Sequence, residues 1–294
     1  MITENNEIHA LSESLVFDLT KAFGLQPTEQ AKSLIRLIFG KVTRTAANVG
    51  LEVDRAVAEG GTAAGARISL PRFVKSHEAK GLENIPASGP LVIASNHPAS
   101  IDSIVITACV ERPDFKVIID DIPFFENLPH LSQHAIYLPT DGSMTGRMQV
   151  LRESIRHLKT GGALLIFPRG TIEADPEFMP DADAEFNCWS RSLEIFMQRV
   201  PNLQTLVTMA SGVISPAAMR HPITWLRKAR KDKQRLAFIY QMARQILSGK
   251  QTFDLTPRIT FGEILTGNNH EHLLAEVEQA ACRTLEKHMA WKYV

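Results

Sequence analysis

From about residue 75 onward, short apolar runs alternate with longer stretches of helical spacing, and this alternation limits the fold more than any other feature. The apolar runs are Leu91 to Ala94, Phe115 to Asp120, His134 to Pro139, Gly161 to Pro168, Leu203 to Gly212 and Pro257 to Leu265. Each is too short for a buried helix and is bounded by glycine, proline or polar residues, so each reads as a strand. Helical patterns fall between and after them, at Asp102 to Val110, Met144 to Lys159 and Asn269 to Lys287. Strands that alternate with helices build an α/β domain with a mixed sheet flanked by helices.

The first 70 residues read differently. Leu15, Val16, Leu19 and Phe23 recur at helical spacing, and Pro27-Thr28 opens a second helix whose apolar face runs from Gln30 to Val42 and on toward Ala58. Three glycines in Glu59 to Ala66 interrupt the pattern and predict a linker or mobile loop. The expected organisation is a helical segment over residues 1–70 and an α/β domain over 71–294. At 294 residues and 44% hydrophobic content, the chain can bury one large core.

The most informative string is "LVIASNHPASIDSIVI", from Leu91 to Ile106. Here His97 follows a strand terminus, where α/β domains build their sites, and Asp102 opens the next helix. A carboxylate bonded to one imidazole nitrogen fixes the tautomer and stabilises the imidazolium, which makes the ring a better base. No Gly-x-Ser-x-Gly elbow and no nearby cysteine offers a nucleophile, so the attacking hydroxyl or amine is expected from the substrate. On these two residues alone, a helix-capping aspartate and a histidine bonded to backbone is the commoner arrangement.

The wider pattern resembles the glycerolipid acyltransferase family, which includes lysophosphatidate and glycerol-3-phosphate acyltransferases. Asn96-His97 through Asp102 is similar to that family's first block, N-H-x-x-x-x-D, and "GLENIPASGPLVIASNH" looks like its lead-in. "IFPRGTIE", Ile166 to Glu173, resembles the third block, commonly F-P-E-G-T-R, and "VTMASGVISP" resembles the fourth. The resemblance covers roughly residues 75 to 220. It implies an acyltransferase that moves a fatty acyl group from an acyl-CoA or acyl carrier protein thioester to a hydroxyl of a lipid or lipid precursor. In that reading His97 is the general base and Asp102 orients it. Asn96, Thr140, Arg147, Phe167, Pro168, Arg169, Gly170 and Thr171 are the expected substrate contacts, and backbone donors near Gly170 stabilise the oxyanion. No metal or other cofactor is implied.

Two blocks depart from the family. Thr140 stands where the second block usually has an arginine for the acceptor phosphate, and Arg169 replaces the usual glutamate of the third. A phosphorylated acceptor therefore needs a cation from elsewhere, Arg169 or Arg147, or else the acceptor is uncharged there. The departures keep two alternatives open: a catalytically weak scaffold that binds lipid or acyl carrier, and a thioesterase-like hydrolase.

Charge and cysteine content narrow the setting. The formal net charge is zero, which gives no indication of nucleic acid. Three scattered cysteines without ligand spacing fit a reducing cytosol. No signal peptide or spanning segment is evident, while the basic stretch His221 to Arg235 reads as a helix that meets anionic headgroups. The expected location is cytoplasmic, peripheral on the inner face of the membrane. His130 and His134 lie four apart, but no third ligand accompanies them, so a metal site is not expected.

Overall fold

The computed structural model describes residues 2–139, 142–266 and 273–290. Two long helices come first, α1 (Ile2–Ala22) and α2 (Glu29–Ser69). Then follow β1 (Glu78–Lys80), β2 (Leu91–Ser95), α3 (Ile101–Cys109), β3 (Phe115–Asp120), α4 (Pro123–Glu126), β4 (Ala135–Leu138), α5 (Met144–Lys159) and β5 (Ala163–Ile166). The chain continues through α6 (Ser192–Arg199), β6 (Gln204–Ser211), α7 (Pro216–Met219), α8 (Arg230–Ser248), β7 (Arg258–Thr266) and α9 (Leu273–Met289).

Among the described residues the strands form one seven-stranded sheet in the order β1-β7-β6-β2-β5-β3-β4. Pairing is parallel throughout, except that β6 and β7 run antiparallel. The sheet is therefore mixed and flanked by helices, as the alternation of runs implies. The central strands β2, β5 and β6 are buried almost end to end. Side chains alternate along a strand, so neighbours serve opposite faces. Leu91, Ile93, Leu165 and Leu206 enter one core with Val105 and Ile106 of α3. Val92, Ala94, Leu164 and Val207 enter the other with residues of α5, α6 and α9. Helices covering both faces explain why these strands read as continuous apolar runs rather than as alternating ones.

The Gly-x-Glu-Asn-Ile-Pro turn before β2 is a docking element. Gly81 has φ 75°, and a Cβ there would lie 2.0 Å from the Phe261 carbonyl oxygen, so only glycine fits. Asn84 Nδ2 then donates to the carbonyls of Phe261 and Gly262 at 3.1 and 2.8 Å. The turn is thereby pinned to β7.

Several readings need correction. Residues 59–66 are not a linker: helical hydrogen bonding resumes past the glycines, and α2 reaches Ser69. The break is confined to Gly61 (φ 76°, ψ −178°), a kink rather than a loop. Thr28 does cap α2, accepting from the Ala31 amide at 3.3 Å. The basic stretch is not one helix: residues Pro222–Leu226 form a 3-10 turn, and α8 starts only at Arg230. His134 belongs to a 3-10 turn before β4, and its Nδ1 contacts the Phe115 carbonyl at 2.9 Å. Residues 269–272, expected to open α9, lie outside the described residues.

The N-terminal helices join the rest of the molecule through side chains as well as through the end of α2. Leu11, Ala47 and Leu128 form a small buried cluster with Phe124 and Phe125 beside α4. Asp54 on α2 accepts the amides of His130 and Leu131 at 2.9 and 2.7 Å.

Candidate active site

The parallel strands β6, β2, β5, β3 and β4 all finish on the same edge of the sheet, which brings the loops after them together. The loop after β2 carries the Asn-His block. Its first residue, Asn96, is 1% exposed, and both ends of its amide are committed to β6. Asn96 Nδ2 donates to the Ala210 carbonyl at 2.9 Å, and the Ala210 amide donates to Asn96 Oδ1 at 2.8 Å. Expected among the substrate contacts, Asn96 instead extends the sheet's bonding by one step and fixes where the next residue leaves.

That residue is His97. Its Nδ1 lies 3.0 Å from each carboxylate oxygen of Asp102, which sits fully buried in the first turn of α3. The same carboxylate accepts the Ala99 amide at 3.1 Å and the Ser103 amide at 2.5 Å. Every group that faces Asp102 is thus a donor, so Nδ1 carries the proton and Nε2 holds the free lone pair. Phe167, directly after β5, stacks on the ring at 4.2 Å between centroids. The His97 side chain remains 22% exposed, so part of the ring is reachable from solvent.

Burial alone would push the imidazole pKa down. The charge of Asp102 and its hydrogen bond, with Glu173 and Asp120 further off, outweigh that effect and raise it above the ordinary histidine value.

Glu173 is the main residue that sequence reasoning missed. Its Oε2 accepts the His97 amide at 2.8 Å, and its own amide donates to the His97 carbonyl at 2.8 Å. Its Oε1 accepts Trp189 Nε1 at 3.0 Å. Burial pushes its carboxyl up to about 7, against these bonds and the His97 charge. Gln234 of α8 was missed too; its Nε2 donates to the carbonyls of Pro98 and Glu173, both at 2.7 Å. Glu173 closes the third-block string, but nothing in its spacing marks a partner 76 positions away.

The turn after β5 places the remaining expected contacts. Pro168 is buried, and its carbonyl accepts the Ser190 amide at 2.9 Å. Gly170 is exposed with φ 65°, and its amide donates back to the Phe167 carbonyl at 3.0 Å. That donor is therefore committed to the turn. Among the described residues, no hydrogen bond uses the amides of Thr171 and Ile172, which follow it.

Arg169 Nε sits 3.9 Å from Glu185 Oε2 and has no hydrogen-bond partner among the described residues. Glu185 is held more closely by Arg230, at 2.7 Å. Arg147 is exposed on the first turn of α5, and its amide donates to the Ser143 carbonyl at 3.1 Å. Thr140 lies outside the described residues.

Of the basic stretch, Arg227 turns inward to the Ala22 carbonyl at 3.0 Å and Arg230 to Glu185. Trp225 and Leu226 just before them stand 75% and 67% exposed. No helix among the described residues is long and apolar enough to cross a membrane.

A structural search finds the 1-acyl-sn-glycerophosphate (LPA) acyltransferase PlsC of Thermotoga maritima at 17% identity and a TM-score of 0.47, covering 98% of this chain and 99% of that one. No curated protein sequence matches the chain. The Acyltransferase family model matches residues 76–220, a span that holds His97, Asp102, Phe167 and Glu173. This chain accordingly carries an acyltransferase-family domain over residues 76–220, running from just before β1 to just after α7.

Proposed function

We propose that this acyltransferase moves a fatty acyl group from an acyl-CoA or acyl carrier protein thioester to a hydroxyl of a glycerolipid or lipid precursor. The observation that carries the reading is the His97–Asp102 pair, with Nδ1 held at 3.0 Å by both oxygens of a buried carboxylate. His97 Nε2 takes the proton from the acceptor hydroxyl as its oxygen attacks the thioester carbonyl. Asp102 stabilises the imidazolium that forms, and the collapsing intermediate expels the thiolate, which takes up that proton. The Thr171 and Ile172 amides supply donors for the oxyanion, a contribution that reaches several kcal/mol, ~3 in typical cases. General-base catalysis adds ~10² to 10⁴ in rate. The substrate supplies its own nucleophile, so the scheme requires no acyl-enzyme.

The protein works at the inner face of the membrane without spanning it. Exposed Trp225 and Leu226, next to Lys228 and Lys231, support this: an aromatic-aliphatic tip beside cations suits an anionic interface. To test the reaction, the purified protein is incubated with labelled acyl-CoA, acyl carrier protein thioester and membrane lipid extract, and the product is identified by mass spectrometry. An acylated lipid supports the proposal. Free fatty acid alone would assign a thioesterase, and no turnover of either thioester would assign a binding protein.

A further inference from the structure

The loop that carries His97 is gripped by a residue the acyl-transfer steps do not use. We propose that Glu173 is a positioning residue, whose carboxylate and amide clamp the His97 backbone and thereby aim the imidazole at the reacting hydroxyl. The proposal rests on His97 being the base.

The clamp is reciprocal. Glu173 Oε2 accepts the His97 amide, and the Glu173 amide donates to the His97 carbonyl, each at 2.8 Å. It joins the loops that follow β2 and β5, which are neighbours in the sheet. A second element holds the same two loops from α8, since Gln234 Nε2 bridges the carbonyls of Pro98 and Glu173. Asp102 fixes the ring's rotation through Nδ1, and Glu173 fixes the backbone from which the ring projects. Together they leave the base little freedom, and a misplacement of about 1 Å can cost ~10² in rate.

The chemistry of the clamp calls for a carboxylate. Oε2 faces the His97 N–H, and Oε1 faces the Trp189 indole N–H at 3.0 Å. Two donors converge on one side chain that is 1% exposed, so a glutamine there would aim its own N–H at one of them. The charged groups around it pull in different directions. His97 and the indole favour the ionised form, while burial and Glu185 oppose it. Glu185 is itself paired with Arg230 of α8 and approached by Arg169. With a donor on each oxygen, the clamp uses the ionised form, and burial raises the cost of that form, a cost a filler side chain would not incur.

The test compares wild type with Glu173→Gln, Trp189→Phe and the double variant, using long-chain acyl-CoA and membrane lipid extract. Glu173→Gln is expected to lower kcat by ~10- to 100-fold, with KM for acyl-CoA within about twofold. Trp189→Phe keeps the clamp and should stay within about threefold of wild type. In the double variant the glutamine carbonyl turns to His97 while its NH₂ faces a ring without a donor, so kcat recovers most of the loss. NMR titration of His97, assigned with His97→Ala, should show its pKa lowered in Glu173→Gln, because a nearby negative charge is gone.

Wild-type kcat in Glu173→Gln, a double variant no better than Glu173→Gln, or an unchanged His97 titration would each overturn the proposal. If Glu173→Gln fails to fold, Trp189→Phe against the double variant decides instead: near-equal kcat supports the clamp, and a full loss in the double refutes it. Normal turnover in His97→Ala refutes the base assignment alone; the titration of His97 then still reports whether Glu173 grips it.

Discussion

Replacing Asp102 with asparagine tests the core of the mechanism with the loss of one charge and almost no change in volume. The wild-type carboxylate receives the His97 Nδ1–H, the Ala99 amide and the Ser103 amide, and it offers no proton in return. Asparagine has one acceptor oxygen and one NH₂ donor. If its oxygen stays on the imidazole, the NH₂ meets a backbone N–H at Ala99 or Ser103. If the NH₂ turns to the imidazole, Nδ1 must become the acceptor, and the proton moves to Nε2. The lone pair that should take the substrate proton then points the wrong way. Either arrangement also removes the charge that stabilises the imidazolium. Asp102→Asn should therefore lower kcat by ~10² to 10⁴. Leaving one buried donor without an acceptor should also destabilise the fold by ~1 to 3 kcal/mol. Initial rates of thiol release from acyl-CoA at saturating donor measure the first effect, and urea unfolding measures the second. A folded Asp102→Asn protein with kcat within about threefold of wild type would refute the tautomer argument and, with it, the role given to His97.

Other outcomes follow from the same geometry. Only neutral imidazole can accept a proton, and His97 titrates above the ordinary histidine value, so kcat/KM should rise with pH through a point above 6.5; an acid limb below that value would count against it. Arg169→Ala should raise KM for a phosphorylated acceptor by ~10-fold and barely change hydrolysis of the donor if Arg169 replaces the missing second-block cation. Side-by-side kcat/KM for glycerol-3-phosphate, lysophosphatidate and a hydroxylated lipid without phosphate decides this. Trp225→Ala and Lys228→Glu should each weaken co-sedimentation with anionic vesicles at low salt, and high salt should release the wild type; equal binding to neutral vesicles would remove the electrostatic part.

Much of this was legible because local rules and the global fold agree. The runs that became β2, β3, β5, β6 and β7 are each centred on apolar residues, and α3 and α5 begin within a residue of their expected starts. The strand β1 was not legible: Glu78–Lys80 has three residues with only one partly buried, and its identity comes from pairing with β7. The Glu59 to Ala66 stretch misled because three glycines normally end a helix, whereas here only Gly61 leaves helical geometry. The His97–Asp102 pair was legible since its members are five residues apart. Glu173 and Gln234 were not, because their partners are remote in the chain, and each sits among residues that offer equally polar side chains. Asn96 was read as a contact for substrate; its work is done on Ala210, across the sheet.

The antiparallel β7 has a consequence for how the molecule comes into being. Among the described residues β1 finds its sheet partner only in β7, and the Ser76–Thr256 bond beside that pairing joins positions 180 residues apart. On a ribosome releasing ~5 to 20 residues per second, β1 is left for roughly 10 to 40 seconds before its partner is made. The block from β2 to β6 needs nothing from β7 for its own pairing, so it is free to assemble early. Until β7 arrives, β6 presents an open edge of unpaired backbone N–H and C=O groups to the cell, a template for pairing with another nascent chain. A chain stopped before Arg258 would keep that edge permanently. The last strand is thus the step that closes the open edge of β6, and the Gly81–Asn84 turn, which docks on β7, waits for it as well.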